Sequence, residues 1–129
     1  MSDRVRLMDA FSALGAAGVA VSFHQEGAHI VGEDNLADHK RAAQAVGTDR
    51  WVGCHVGSRE HGGSYFDRAG VLRYRHDDKP VVELWWSFNH EHPGLGWLMV
   101  DLFKAADLSA LWRGDVAECV IVTLGGGHR

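Results

Sequence analysis

Proline and cysteine are nearly missing from this sequence, with two of each in 129 residues. Cys54 and Cys119 show no Cys-x-x-Cys or other ligand spacing, so no disulfide framework is implied and a reducing compartment is the natural setting. Basic runs are missing as well. The 13 Lys and Arg are scattered and the formal net charge is −4, which excludes the clustered cationic surface that nucleic acid requires. No apolar stretch approaches the length of a membrane span. The opening Met-Ser-Asp-Arg-Val-Arg lacks the apolar core of a signal peptide. These absences lead us to expect a cytoplasmic protein with neither nucleic acid nor membrane as partner. Internal repeats, low-complexity segments and the strand-turn-helix elbow of serine hydrolases are absent too.

What is present is an ordinary globular composition. At 46% hydrophobic and 23% charged, the chain can bury a real core and should not be disordered. Sixteen Gly against two Pro suggest many tight turns, and nine His invite a search for proton carriers or metal ligands.

Periodicity divides the chain into helices and strands. Leu7, Phe11 and Leu14, with Met8 beside them, put an apolar stripe on a helix over 5–17. Asp3 is placed to cap or charge its start and Gly18 to end it. Val19, Val21 and Phe23 share one face of a strand. A thinner stripe (Leu36, Ala43, Val46) predicts a peripheral second helix, capped by Asp34 and closed by Gly47. Over 51–56, Val52, Cys54 and Val56 occupy one strand face, while Trp51, Gly53 and His55 occupy the other.

Pro80 to Pro93 carries the strongest strand signal, and everything else is organised around it. Val82, Leu84, Trp86 and Phe88 fall on its core face, leaving Glu83, Trp85, Ser87 and Asn89 on the other. A three-residue turn at Asp77-Asp78-Lys79 would pair this strand with 71–75, setting Leu72 opposite Leu84 and Arg73 opposite Glu83. That turn has no Gly for the usual bulge. Pro93 suits the first turn of a helix, on which Leu95, Leu98, Met99, Leu102 and Phe103 form one apolar face. Short strands at 64–67, 109–113 and 117–124 complete the pattern. The sum is one α+β domain spanning 1–129, a mostly antiparallel sheet of about five to six strands with helices packed mainly on one face.

Three blocks resemble an uncharacterised bacterial domain family. The first is Arg6-Leu7 with Ala10-Phe11-x-x-Leu14-x-x-x-Gly18-Val19, a helix running into a strand. The second is Trp51-Val52-Gly53-Cys54-His55-x-x-x-x-Glu60, an aromatic-led strand ending in His with an acid five residues on. The third runs from Val100 to Ile121, where a helix leads through Trp112-x-Gly114-Asp115 to a final strand. Val-Gly-Ser-Arg stands after His55 where an acidic run would be expected, and the double Trp and His-Glu-His have no counterpart. The resemblance implies an architecture and no activity.

Three constellations bear on function. His90-Glu91-His92, if on a strand, turns both imidazoles to one face, as two ligands of a metal would stand; His55 or His61 with Glu60 would complete the set. The plainer reading is a polar, frayed strand end. His55 with Glu60 has the form of a base held by a carboxylate. Cys54 beside it faces the other way and reads as a small buried hydrophobe. Glu83 and Trp85 share a face that the core does not need. With Trp51 and His55 they would make an aromatic surface with polar handles, unless the second helix or the 57–70 segment covers it. Trp97 and Trp112 read as packing residues and Asp115 as the stabiliser of its own turn.

Three functional expectations result. One is a binding module, inhibitor- or immunity-like, presenting Trp51, His55, Glu60, Glu83 and Trp85 to a basic protein partner. Another is a small metal-dependent enzyme or metal binder using His90 and His92. The third is a small-molecule-binding domain with its ligand between the sheet and the second helix. No residue pattern specifies a cofactor.

Overall fold

The computed structural model describes residues 2–24, 35–56 and 63–125. Ser2 starts the first helix: its hydroxyl accepts the Val5 N–H at 3.2 Å, and α1 runs Asp3–Ala16. Asp3, expected to cap or charge that start, supplies the acidic residue of the first turn, while Ser2 is the cap. Asp3 is buried, meets Arg6 at 3.3 Å, and accepts the Gly125 N–H at 2.8 Å, tying the start of α1 to the end of the last strand. Gly18 ends the helix at φ 81°, and the Val19 N–H returns to the Leu14 carbonyl, as in a Schellman motif.

The remaining elements, in chain order, are β1 (Ala20–His24), α2 (Asn35–Ala45), β2 (Trp51–His55), β3 (Ser64–Phe66), β4 (Leu72–Tyr74), β5 (Glu83–Phe88), α3 (Gly94–Ala105), β6 (Ser109–Leu111) and β7 (Val120–Thr123). Five strands form one sheet in the order β1-β2-β5-β7-β6. The α+β class holds, but the sheet is mixed: β1 and β2 are parallel, and the other three pairings are antiparallel. A parallel pair cannot be joined by a tight turn, and α2 is part of the required crossover. Asp34, expected to cap α2, lies outside the described residues.

The helices lie on both faces. Leu7, Ala10 and Leu14 of α1 and Leu95, Met99 and Phe103 of α3 bury against Val52, Leu84, Trp86, Phe88 and Val122 on one face. Trp86 is the centre of that core, with the rings of Phe11, Phe23 and Phe103 at 5.6, 5.8 and 5.4 Å. On the opposite face α2 covers β1 and β2, where Ala43 packs with Ala20 and Trp51.

The expected β4–β5 hairpin does not form. β4 pairs with β3 in a separate two-stranded sheet, Ser64 opposite Tyr74 and Phe66 opposite Leu72. The chain reverses more tightly than expected: Arg73 bridges Pro80, and the Val81 N–H bonds to the Leu72 carbonyl at 2.8 Å. Asp78 supplies the left-handed turn residue itself, at φ 58°, a conformation that Asp tolerates better than most side chains. The consequence is a correction to the core. Val81 is buried and Val82 stands outside at 51% exposed, whereas Leu84, Trp86 and Phe88 keep their expected face.

Trp112 is buried, its indole N–H shared between the Asp115 and Glu118 carbonyls at 3.0 and 3.1 Å. Asp115 does hold its own turn, accepting the Ala117 N–H at 2.9 Å. Trp97 packs edge-on against Trp112 at 5.0 Å yet remains largely exposed. Among the described residues, no helix is long and apolar enough to cross a membrane.

Candidate functional site

Strand register carries small residues across the α2 face of the sheet in one transverse row. Ser22 lies beside Gly53, and Gly53 beside Ser87. Trp86 pairs with Val120, so Cys119 extends the row past Ser87. Side chains of one face recur every second residue, which sets Trp51 on one side of this row and Trp85 on the other. Between the two indoles the face sinks into an open cleft of about 620 Å³. That volume falls in the range of small-ligand sites, roughly 300–1,000 Å³.

Helix α2 makes one wall. His39 is buried, lays its ring against the Gly53 backbone, and stacks on Trp51 with centroids 5.3 Å apart. Its ring fills the place where a Cβ on residue 53 would stand. Trp51 is itself buried between Ala20 and Ala43. Across the cleft, Trp85 is 58% exposed, because α2 stops short of β5 and β7. Its indole N–H donates to Glu83 Oε1 at 3.2 Å. In the floor, the Ser87 hydroxyl donates to the Gly53 carbonyl at 3.3 Å.

The rim is charged. Lys40 follows His39 on α2, and Glu91 stands on the turn after β5. Both line the cleft and also a recess of about 230 Å³ next to it. Side-chain contacts pin that turn to the loop before β2. Asn89 donates to the Asp49 carbonyl at 2.7 Å and accepts the Glu91 N–H at 3.1 Å. His92 Nε2 lies 3.0 Å from Asp49 Oδ1. The imidazole beside it holds the Asp49 carboxyl below the usual carboxylate range.

Neither thiol is activated. Cys54 points into the core, and burial pushes its pKa far up. Cys119 sits half-buried in the cleft, and desolvation raises its pKa too. A reactive cysteine needs the opposite shift. The cleft is therefore not suited to thiolate chemistry.

Of the residues marked in the sequence, Trp51 and Trp85 come together in one cleft. Glu83 shares their face and holds Trp85, but it does not line the cleft. His55 ends β2 with its backbone paired to His24; Glu60 and His61 lie outside the described residues. The histidine pair requires a correction. His90 and His92 stand on the turn between β5 and α3, so strand alternation does not give them a common face. His90 borders the cleft with its ring edge-on to Phe88 at 5.6 Å, whereas His92 engages Asp49. Among the described residues, no group of three His, Cys, Asp or Glu side chains is arranged to hold a metal.

Sequence reasoning missed His39, Lys40, Glu91 and Cys119, and it passed over Gly53 and Ser87 as floor residues. Alternation already placed Gly53 and Ser87 on the aromatic face. Nothing local signals that β2 pairs with β5, because β3 and β4 intervene, and that pairing is what sets the small side chains in a row.

No family model, curated protein or solved structure matches this chain.

Proposed function

We propose that this protein is a small-molecule-binding domain whose ligand lies in the cleft between α2 and β5. One observation carries this reading: an open cleft of about 620 Å³ separates two tryptophans on one sheet face. Planar apolar ligands suit such walls, since aromatic faces stack and the fixed sheet limits the entropy lost on binding. The unpaired thiols of Cys54 and Cys119 suit a cytoplasmic setting. The test is an amide chemical-shift titration with indole. Shifts concentrated at His39, Gly53, Trp85 and Ser87 are expected; shifts scattered over the surface, or none, refute the reading.

A second reading, the inhibitor- or immunity-like module, is favoured by a different observation. Trp85 pairs with Ile121, and Ile121 with Leu111, forming an apolar row that runs from the cleft to the sheet edge at β6. Leu111 is 64% exposed. With Glu83 alongside and a net charge of −4, this row suits a basic protein partner. Affinity capture with wild type and with Leu111→Asp distinguishes the readings: a basic protein held by the first and released by the second supports the module. Equal recovery by both contradicts it.

A further inference from the structure

The cleft has aromatic walls but not a neutral rim, and its two rim charges differ in sign. Lys40 stands on α2 and Glu91 on the turn after β5, and each lines both the cleft and the adjoining recess. Among the described residues, neither side chain takes part in an ion pair or a side-chain hydrogen bond. Their positions are set by rigid neighbours. Lys40 adjoins His39, whose ring is wedged on Gly53, and Glu91 is held through its own N–H by Asn89, which is anchored on Asp49. Trp51 lines both the cleft and the recess.

A ligand that uses all of these features has a flat ring to lie between the indoles and a polar end with both charges. The geometry points to an aromatic zwitterion, an aryl ring bearing an ammonium and a carboxylate, as in a free aromatic amino acid. Lys40 receives the carboxylate and Glu91 the ammonium, while the ring lies in the cleft against the exposed face of Trp85. The inference deepens the small-molecule reading and rests on it. Purely cationic ligands would meet Lys40, and purely anionic ones would meet Glu91. Each would engage only one of the two rim charges and leave the other without a partner, so the rim favours a ligand that carries both.

Calorimetric titration with tryptophan, tryptamine, N-acetyltryptophan and indole tests this. Tryptophan should bind tightest. Lys40→Ala should weaken tryptophan about fivefold and leave tryptamine no weaker, and Glu91→Gln should weaken tryptophan about fivefold and leave N-acetyltryptophan no weaker. That size reflects the modest worth of a solvent-exposed ion pair. Both residues are exposed, so neither change should disturb folding. Indole binding as tightly as tryptophan, with both variants neutral, would overturn the zwitterion assignment and leave the cleft reading intact. If none of the four binds, the cleft reading fails with it. Binding of tryptophan that N-acetylation leaves unchanged would remove Glu91 from the assignment and overturn it as stated.

Discussion

The ring of His39 occupies the space that a side chain on Gly53 would take. That contact helps to lock helix α2 onto β2, beside the packing of His39 and Ala43 on Trp51. Gly53→Ala should destabilise the protein by about 1–3 kcal/mol, the usual effect of overpacking a close contact. The double variant with His39→Ala should recover part of that loss, because the two positions are coupled. Urea unfolding reads both effects; strictly additive losses would show that the contact is not what holds the helix.

The two tryptophans of the cleft should separate stability from binding. Trp51 is buried under α2, so Trp51→Ala should cost about 3–5 kcal/mol. Trp85 is mostly exposed, and Trp85→Ala should stay within about 0.5 kcal/mol of wild type. The second variant should nevertheless lose the shifts that indole induces. Unimpaired indole binding in Trp85→Ala would remove that wall from the site.

Asp49 and His92 make a contact whose response to pH has a definite sign. The folded-state pKa of Asp49 is depressed by the neighbouring imidazole. Its contribution to stability is therefore present above the unfolded carboxyl pKa and disappears as pH falls through the folded value. Carbon-detected titration should find Asp49 below the ordinary range in wild type and back within it in His92→Asn. An Asp49 pKa that ignores the substitution would show that the contact has no electrostatic weight.

Asp3 links the two ends of the fold through Arg6 and the Gly125 amide. Asp3→Asn removes the charge while keeping the shape, and should cost about 1–3 kcal/mol by weakening a charged hydrogen bond at a buried site. Hydrogen exchange at the Gly125 amide should accelerate. A stability change without faster exchange there would locate the loss elsewhere.

The thiols should react in a fixed order. Cys54 is buried with its pKa pushed far up, and Cys119 is only half-buried. A chromogenic disulfide reagent should label Cys119 slowly in the native protein and Cys54 only on unfolding. Simultaneous labelling of both would contradict the orientation of β2.

Period-two alternation placed Leu84, Trp86 and Phe88 inside and Trp85 and Glu83 outside, and the structure keeps all five. The helices over α1 and α3 were equally legible, since their apolar faces repeat locally. The failures lie at turns. Asp78 takes up a left-handed conformation that the sequence does not advertise as Gly would, which moved the register and exchanged Val81 for Val82. A common face for His90 and His92 requires the strand to reach them, but it ends at Phe88 and Asn89 begins the turn.

Which face each side chain prefers is a property of consecutive residues, so the sequence alone determined it for most of this protein. Which strands become neighbours is not. The row of Gly53, Ser87 and Cys119 joins residues from separate parts of the chain. Its meaning as a cleft floor depends on α2 crossing over β1 and β2 while stopping short of β5 and β7. Those placements follow from burying one continuous core on the other face of the sheet, a constraint of the whole chain that no local pattern contains. The tertiary structure alone therefore brought two tryptophans of separate strands to the walls of one cleft.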